Sequence, residues 1–274
     1  MFPLEITGMT KVFETPSGAY TAVKDVNAKV REGEFVCILG HSGCGKSTVL
    51  SIIAGLQKAT FGGVVIHGKE VDEPGSDRGM VFQSPSLLPW LSVGENVSLA
   101  VSQAFPKYGW KQRREQAEKY LELAGIGGCY DHKPAELSLG TQQCVSLARA
   151  LSMEPEFLLL DEPFSTLDSL TRFDLQDTLL DVWEKARRVV VMVTHDIDEA
   201  LYLSDRLILM TDGPEAYVGE ILKTPFPRPR SRVDVLEHPE YYEYRSRVID
   251  FLENHARQFT LPATAEERSS RPSH

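Results

Sequence analysis

The sequence predicts an α/β fold in which helices cover both faces of a mostly parallel sheet. Short apolar runs typical of buried strands, at 34–40, 157–161 and 189–194, alternate with stretches in which apolar residues recur at helical spacing. Because these strands are apolar on both faces, each face of their sheet must be covered. At 274 residues, the chain is long enough for one large domain or two small ones with a sizeable core.

The composition predicts a mildly acidic, cytoplasmic globular protein. A formal net charge of −10 argues against general nucleic-acid binding, which needs a basic surface. No stretch approaches eighteen apolar residues, and the N-terminus lacks the pattern of a signal peptide. The four cysteines have no paired metal-ligand spacing, so we expect them to be reduced thiols.

The first predicted strand, "EFVCILG" (34–40), is closed by a glycine. Directly after it, apolar residues recur at i, i+3, i+4 and i+7, which predicts one face of a helix. The residues on this face are Val49, Ile52, Ile53 and Leu56. Two segments follow: "GGVVIHGKEV" (62–71) is predicted as a hairpin arm and "GMVFQ" (79–83) as another buried strand.

From residue 84 to about 150 the pattern is helical, with two apolar stripes. They are formed by Ala117, Tyr120, Leu121 and Ala124, and by Cys144, Leu147, Ala148 and Leu151. Beyond this stretch the alternation of strands and helices resumes. Strands are predicted at 157–161, 189–194 and 206–210, and helices at about 169–187 and 196–204.

The composition changes after residue 222. The segment "KTPFPRPRSR" is rich in proline and arginine, which predicts a linker. A short helical stretch rich in tyrosine and arginine follows, and the ending "ATAEERSSRPSH" has the composition of a disordered segment. We therefore expect one domain over 1–222, with a helical part at about 84–150 inserted in it, and a tail over 223–274.

A phosphate-binding loop is predicted at "GHSGCGKST", which matches G-x-x-x-x-G-K-[ST] between a predicted strand and a predicted helix. Gly43 and Gly45 let the backbone wrap around a phosphate, toward which the N–H groups at the helix start then point. Lys46 supplies a cation for the β- and γ-phosphates, and the Ser47 hydroxyl suits Mg²⁺. The predicted contacts are Gly40, His41, Ser42, Gly43, Cys44, Gly45, Lys46, Ser47 and Thr48. The alternative is a glycine-rich turn with a chance lysine, which the flanking strand and helix disfavour.

The stretch "FLLLDEP" (157–163) predicts the acidic half of the same site. Its apolar strand delivers Asp161 to the carboxyl edge of the sheet, where ligands bind in such folds. There Asp161 can hold the shell of Mg²⁺, and Glu162 can polarise a water for in-line attack on the γ-phosphate. The alternative is a strand that ends in a capped acidic turn.

The order of motifs over residues 4 to about 222 resembles the ATP-binding cassette of ABC transporters. Five elements agree: the phosphate loop, a glutamine after a strand, a signature stretch, the Asp-Glu strand and a histidine after another strand. The resemblance implies a P-loop NTPase fold, with a RecA-like parallel sheet core, an antiparallel β subdomain and an inserted α-helical subdomain. It also implies an ATPase that uses Mg²⁺ and works as a head-to-tail pair of cassettes, with two ATP molecules between them.

Further roles follow from the resemblance alone. Gln83 of "VFQ" resembles the hinge glutamine that links Mg²⁺ and the attacking water to the helical subdomain. His195 of "VTHD" resembles the switch histidine that contacts the γ-phosphate. Asp168 ends "STLD", which resembles the loop by which two cassettes sense each other. Phe13 of "TKVF" aligns with the aromatic residue that stacks on adenine, and Tyr20 is the alternative.

The signature of this chain departs from the family pattern. The stretch is "ELSLGTQQC", in which Leu137, Ser138, Leu139, Gly140 and Thr141 occupy the positions of L-S-G-G-Q. The groups that the family uses on the partner's γ-phosphate are retained as Ser138 and Gly140. Leu139 replaces a glycine, and if that position needs a positive φ, we expect strain of roughly 1–2 kcal/mol. Cys144 replaces an arginine that commonly follows the signature, while Arg149 is retained.

An unequal pair of cassettes is the hypothesis that this departure motivates. The phosphate loop and the acidic strand of this chain are intact, so its own nucleotide depends on the signature of the partner. In a heterodimer only the partner's ATP would meet Leu139, which gives one strong and one weak site. In a homodimer both sites would carry the altered residue.

Within the family, three stretches resemble the ATPases of nitrate, bicarbonate, cyanate and sulfonate or taurine importers. They are "GHSGCGKST", "DRGMVFQSPSLLPWLSVGENV" and "TPFPRPRSR…EHPEYYEYRSRVIDFL", and the ending most resembles the nitrate and bicarbonate branch. The resemblance implies import of a small oxyanion, nitrate first and nitrite among the alternatives. It implies transmembrane permease subunits, a second cassette and, indirectly, a solute-binding protein as partners. The chain would lie on the cytoplasmic face of the inner membrane.

The segment "SLLPWLSV" (86–93) is apolar and contains Trp90. In the family this region docks a short helix of the membrane subunit, and the alternative is packing beneath a loop. A rival function is a weakly hydrolysing regulatory or structural partner of another cassette, which Leu139 favours and the intact Glu162 and His195 disfavour. Two other classes of cassette protein are disfavoured. A DNA-repair cassette would need a long heptad insertion, for which 84–150 is too short, and a translation factor would need two cassettes in one chain.

Overall fold

The computed structural model describes residues 2–16 and 18–255, which form two sheets flanked by helices. The strands are β1 (Leu4–Thr15), β2 (Gly18–Val30), β3 (Phe35–Leu39), β4 (Phe61–Ile66), β5 (Lys69–Glu70), β6 (Arg78–Val81), β7 (Phe157–Asp161), β8 (Val189–Thr194), β9 (Arg206–Met210) and β10 (Val218–Lys223). The helices are α1 (Lys46–Ile53), α2 (Val93–Ala104), α3 (Trp110–Leu123), α4 (Leu139–Ser152), α5 (Ser169–Ala186), α6 (Ile197–Leu203), α7 (Arg232–Leu236) and α8 (Tyr241–His255). The ending predicted as disordered lies outside the described residues.

The larger sheet has the strand order β10-β9-β3-β8-β7-β6, and all its pairs are parallel except β9 with β10. Every residue of β3, β7 and β8 is buried, which confirms that both faces of the sheet are covered. Side chains alternate between the faces along β3. Phe35, Cys37 and Leu39 belong to the core under the helices, whereas Val36 and Ile38 pack with α1 and the smaller sheet.

The smaller sheet is antiparallel, with the order β2-β1-β4-β5. Together with α1 it covers one face of the parallel sheet. The predicted hairpin arm at 62–71 corresponds to β4 and β5. This arrangement confirms the parallel core with an antiparallel subdomain.

The prediction that Leu56 continues the apolar face of α1 is wrong. The helix ends at Ile53, and Gly55 has a φ of +76°. A Cβ at Gly55 would lie 2.3 Å from the carbonyl oxygen of Glu73, so the chain turns where only glycine fits. Leu56 follows this turn and is 47% exposed.

The helical part contains α2, α3 and α4, and both predicted apolar stripes are buried in it. The segment before α2 is held in place by polar contacts. Ser92 caps α2 by accepting the N–H of Glu95, and the Glu95 carboxylate accepts the N–H of Ser92. Buried Asn96 accepts from Leu88 N at 2.8 Å and donates to Leu88 O at 3.1 Å. Trp90, between these anchors, is 69% exposed.

The segment predicted as a linker packs against the parallel-sheet domain. We call residues 224–255 the C-terminal arm. Phe226, Val235 and three residues of α8 are buried in the core cluster that lies under the helices on one face of the parallel sheet. The Arg228 and Arg230 side chains are only 11% and 1% exposed. No helix within the described ranges is both long and apolar enough to span a lipid bilayer.

Candidate nucleotide-binding site

The phosphate loop connects β3 to α1 at the carboxyl edge of the parallel sheet. Gly45, at the N-cap of α1, has a φ of +94°, and a Cβ there would lie 2.5 Å from Val23 Cγ1. A Cβ at Gly40 would lie 2.8 Å from Cys44 Sγ and 3.0 Å from Met210 O. The loop therefore curves as tightly as the motif requires because these two positions carry no side chain.

Lys46 is 4% exposed, and its ammonium group lies inside the loop. It donates to Gly40 O at 2.8 Å and to His41 O at 2.9 Å. The amine is thus centred in the cradle where a phosphate would be held. His41 Nδ1 lies 3.0 Å from a carboxylate oxygen of Asp212. Burial raises the pKa of the Cys44 thiol, which is consistent with a packing role for this side chain.

Strand β7 delivers Asp161 to a point directly behind the loop. The Ser47 hydroxyl donates to Asp161 Oδ1 at 2.8 Å. Asp161 is 7% exposed, and burial raises the pKa of its carboxyl, while the hydrogen bond from Ser47 opposes that shift. Two hard oxygen donors of the kind that Mg²⁺ prefers are therefore adjacent beside the phosphate loop.

Three predicted residues meet at one carboxylate oxygen. Glu162 Oε2 accepts from Gln83 Nε2 at 3.2 Å and lies 3.1 Å from His195 Nδ1. Gln83 follows β6, Glu162 follows β7 and His195 follows β8, three neighbouring parallel strands. Glu162 has a φ of +44°, a left-handed conformation that costs a non-glycine residue about 1–2 kcal/mol. Six other non-glycine residues in the described part of the chain also have a positive φ, so the role of Glu162 is argued from its contacts.

These residues surround an open cleft of about 500 Å³. Its lining is Ser42, Gly43, Gly45, Lys46, Ser47, Thr48, Gln83, Glu162 and His195. The fold thus brings the phosphate loop, the acidic strand end, the glutamine and the histidine to one place. The other predicted site residues do not line the cleft: Gly40, His41, Cys44, Asp161, Phe13, Ser138, Gly140 and Asp168.

The signature lies at the start of α4. Ser138 is the N-cap of α4, and its hydroxyl accepts the N–H of Thr141 at 3.1 Å. Leu139 is the first helical residue and has no positive φ, so the backbone strain that a positive φ would bring is absent. Its side chain is 63% exposed, and any interference must come from the bulk of that side chain.

The loop 165–168 packs beside the signature. A Cβ at Gly140 would lie 3.2 Å from Leu167 Cδ2, so the second glycine of the signature allows this close approach. Asp168 caps α5 by accepting the N–H groups of Leu170 and Thr171, each at 3.1 Å. The signature and the predicted sensing loop are therefore in close contact.

The two adenine-stacking candidates occupy the same rung of the β1–β2 hairpin. Phe13 pairs with Tyr20 in the register, so both side chains lie on one face of the hairpin. Lys11 Nζ lies 5.0 Å from the centre of the Phe13 ring. A Cβ at Gly213 would be 3.5 Å from both the Tyr20 hydroxyl and Gly43 O, which places Tyr20 beside the phosphate loop.

Comparison with known proteins identifies the family. A family model described as ABC transporter matches residues 23–165. The nitrate import ATP-binding protein NrtD of Synechococcus elongatus is 50% identical over 242 residues, which are 88% of this chain and 88% of the relative. The chain belongs to the ABC transporter family. The bicarbonate transport ATP-binding protein CmpD of the same organism is 48% identical over 251 residues, 92% of this chain and 90% of the relative.

Solved structures agree with this assignment. The ATP-binding cassette MJ0796, in a dimeric post-hydrolysis state bound to ADP and Pi, matches with a TM-score of 0.75 and 35% identity. The match covers 82% of this chain and 100% of that one. The cassette fold, ATP as the nucleotide and ATPase activity are therefore confirmed. The roles of single residues stay predictions.

The sequence did not reveal how the cassette connects its helical part to Gln83. Arg149 of α4 donates to Ser86 O at 2.9 Å and to Pro85 O at 3.2 Å, and Gln143 donates to Phe82 O at 3.0 Å. Both side chains thus fasten α4 to the loop around Gln83. Retention of Arg149 in the sequence was the available signal, but its acceptors are backbone carbonyls that no motif specifies.

Proposed function

We propose that this cassette is the ATP-hydrolysing subunit of an importer for a small oxyanion, with nitrate as the first candidate. The observation that carries the proposal is the 50% identity to the nitrate import relative over 242 residues. That length exceeds the 222 residues expected for the cassette alone, so the similarity extends into the C-terminal arm. Nitrite, bicarbonate, cyanate and sulfonate or taurine are the alternative solutes.

The chemistry proposed for the cleft follows from its contacts. Lys46 and the loop N–H groups would hold the β- and γ-phosphates. Mg²⁺, held by Ser47 and Asp161 with Gln83 nearby, would neutralise phosphate charge. The carboxylate of Glu162 would accept a proton from the attacking water, since its Oε2 faces the cleft and is oriented by Gln83 and His195. His195, whose side chain is 60% exposed, would stabilise the charge that develops on the γ-phosphate.

A second cassette completes the site in this proposal. Ser138 and Gly140 do not line the chain's own cleft, which supports their use on the nucleotide of a partner. The adjacent Asp168 would sense that partner. The solved MJ0796 cassette is described as dimeric. We favour a heterodimer because this chain combines an intact phosphate loop with an altered signature.

We further propose that the cassette lies peripherally on the cytoplasmic face of the membrane, bound to permease subunits. The segment 86–93 supports this placement because Trp90 is exposed although the backbone on both sides is fixed by Asn96 and Ser92. An exposed aromatic residue on a rigid loop suits an interface. The solute-binding protein would act on the cassette only through the permease.

Transport in reconstituted vesicles tests the function. The cassette is assembled with its permease, its second cassette and the solute-binding protein, and uptake of each candidate solute is measured with ATP on the cassette side. We expect ATP-dependent uptake of nitrate that a Lys46→Ala variant does not support. Uptake of another oxyanion alone would contradict nitrate, and no ATP-dependent uptake of any of these solutes would contradict the importer.

A weakly hydrolysing partner is the second candidate, and Leu139 favours it. Because Leu139 is helical and exposed, its effect must arise from side-chain bulk near the partner's phosphate. Leu139→Ala should therefore raise ATPase in the assembled transporter as much as Leu139→Gly does. Relief of about 1 kcal/mol of interference corresponds to a rate about fivefold higher. A gain with glycine alone would instead indicate a backbone requirement, and no gain with either variant would contradict the weak-site hypothesis.

A further inference from the structure

We propose that the C-terminal arm positions His195 through α6, and that Tyr241 is the principal positioning residue. This inference rests on the proposed role of His195 at the γ-phosphate. Helix α6 begins two residues after His195 and spans Ile197–Leu203. A helix this short has little stability of its own in water, so neighbouring elements must fix its position.

The arm holds the C-terminal end of α6 with two arginines. Arg230 Nη1 donates to Tyr202 O at 2.9 Å and to Ser204 O at 2.7 Å. Arg228 Nη2 donates to Leu203 O at 2.6 Å. Cations that bind the last carbonyls of a helix also interact favourably with its dipole.

The arm holds the N-terminal end of α6 through a single carboxylate. The buried Tyr241 donates its hydroxyl to Asp198 Oδ1 at 2.7 Å, and Arg245 Nε donates to the same oxygen at 2.8 Å. Asp198 lies three residues after His195. The first turn of α6 is therefore tied to α8 beside the switch histidine.

The residue after His195 is also anchored from the cassette side: Asp196 N donates to Thr194 Oγ1 at 3.0 Å, and Arg172 Nη1 donates to Asp196 Oδ2 at 3.5 Å. The His195 side chain itself is less constrained. Its ring is 60% exposed, and the ring nitrogen Nδ1 lies 3.1 Å from Glu162 Oε2 at the cleft. On one side it is joined to Thr194 at the end of β8, and on the other to α6. A shift of α6 along its axis would move His195 Nδ1 relative to Glu162, and displacements near 1 Å can lower a catalytic rate by about 10²-fold. The arm thereby sets the geometry of hydrolysis without touching the nucleotide.

Tyr241→Phe tests the proposal because it removes one hydroxyl and keeps the packed ring. We expect the turnover number of the assembled transporter to fall about tenfold, since Asp198 loses its buried donor. The affinity for ATP should stay unchanged, because the phosphate loop is not involved. Tyr242→Phe is the matched control: this neighbour is 71% exposed, and we expect no change in either quantity.

A double-mutant cycle with His195→Ala separates positioning from general stability. If Tyr241 acts through His195, Tyr241→Phe should lower the rate little or not at all in the His195→Ala background. The same fractional loss in both backgrounds, or no loss in the wild-type background, would overturn the positioning role. Arg245→Gln, with Arg247→Gln as its control, should repeat the pattern with a smaller effect because Arg245 is 40% exposed.

The cycle also distinguishes the two levels of the proposal. If His195→Ala alone leaves turnover unchanged, the role of the switch histidine is wrong and the inference falls with it. If His195→Ala lowers turnover and Tyr241→Phe lowers it further by an independent factor, only the positioning role is wrong. ATP binding measured by fluorescence titration, and the unfolding temperature, accompany every variant to show that neither nucleotide affinity nor stability explains the result.

Discussion

Glu162→Gln is expected to lower the ATP turnover of the assembled transporter by about 10²–10⁴-fold while ATP still binds. The substitution keeps the size of the side chain and its hydrogen-bonding reach but removes the basic carboxylate. The phosphate loop and Asp161 do not depend on that carboxylate, so the affinity for nucleotide should change little. Steady-state hydrolysis and nucleotide titration together measure the two effects.

Glu156→Gln provides the matched control, because Glu156 directly precedes β7, at the end opposite to Glu162, and its exposed side chain pairs with His67. The same chemical change there should leave hydrolysis at the wild-type level. Normal hydrolysis by Glu162→Gln would show that another group activates the water. Loss of both hydrolysis and nucleotide binding would instead indicate that the carboxylate holds the structure of the cleft.

The phosphate loop and the acidic strand end were predictable because their constraints are local. A glycine at the helix start, a lysine directly after it and a buried strand that ends in Asp161 each need only a short stretch of sequence. The order of neighbouring parallel strands then brings their carboxyl ends together, so Gln83 and His195 reach Glu162. The family resemblance supplied the two residues that local chemistry alone did not assign.

The features that the sequence did not reveal depend on partners distant in the chain. The end of α1 at Ile53 is set by the close approach of Gly55 to the backbone of Glu73, which periodicity does not report. Leu139 has a helical φ because Ser138 caps α4 directly before it. The glycine that the family usually places at this position suggested a positive φ instead. Proline and arginine in 223–232 predict a linker from composition alone. The sequence does not show that Arg228 and Arg230 bind backbone carbonyls of the cassette, and these bonds fix the segment in place.

Arg230→Ala is expected to lower the free energy of unfolding by about 3 kcal/mol, because several buried carbonyls lose a donor and each unsatisfied buried group costs about 1–3 kcal/mol. Its side chain is 1% exposed, and Nη2 lies 3.6 Å from Asp205 Oδ1. The guanidinium also donates to Tyr202 O in α6, to Ser204 O just beyond it, to Phe226 O and to Thr224 Oγ1. Burial lowers the pKa of Arg230 to about 10, so the guanidinium remains charged at neutral pH. Removing it takes a donor from several carbonyls in this buried region, whereas the Asp205 carboxylate keeps the Arg228 guanidinium and Phe35 N as donors.

Arg247→Ala is the matched control within the same arm, because Arg247 also pairs with a carboxylate, that of Glu220, but its side chain is 57% exposed. Exposed pairs contribute at most about 1 kcal/mol, so this variant should unfold near the wild-type denaturant midpoint. Arg230→Lys should lie between the two, since an ammonium keeps the charge but cannot reach the same spread of acceptors. Equal midpoints for Arg230→Ala and Arg247→Ala would mean that the arm is a loosely attached tail, and α6 would then have to be fixed by the cassette alone.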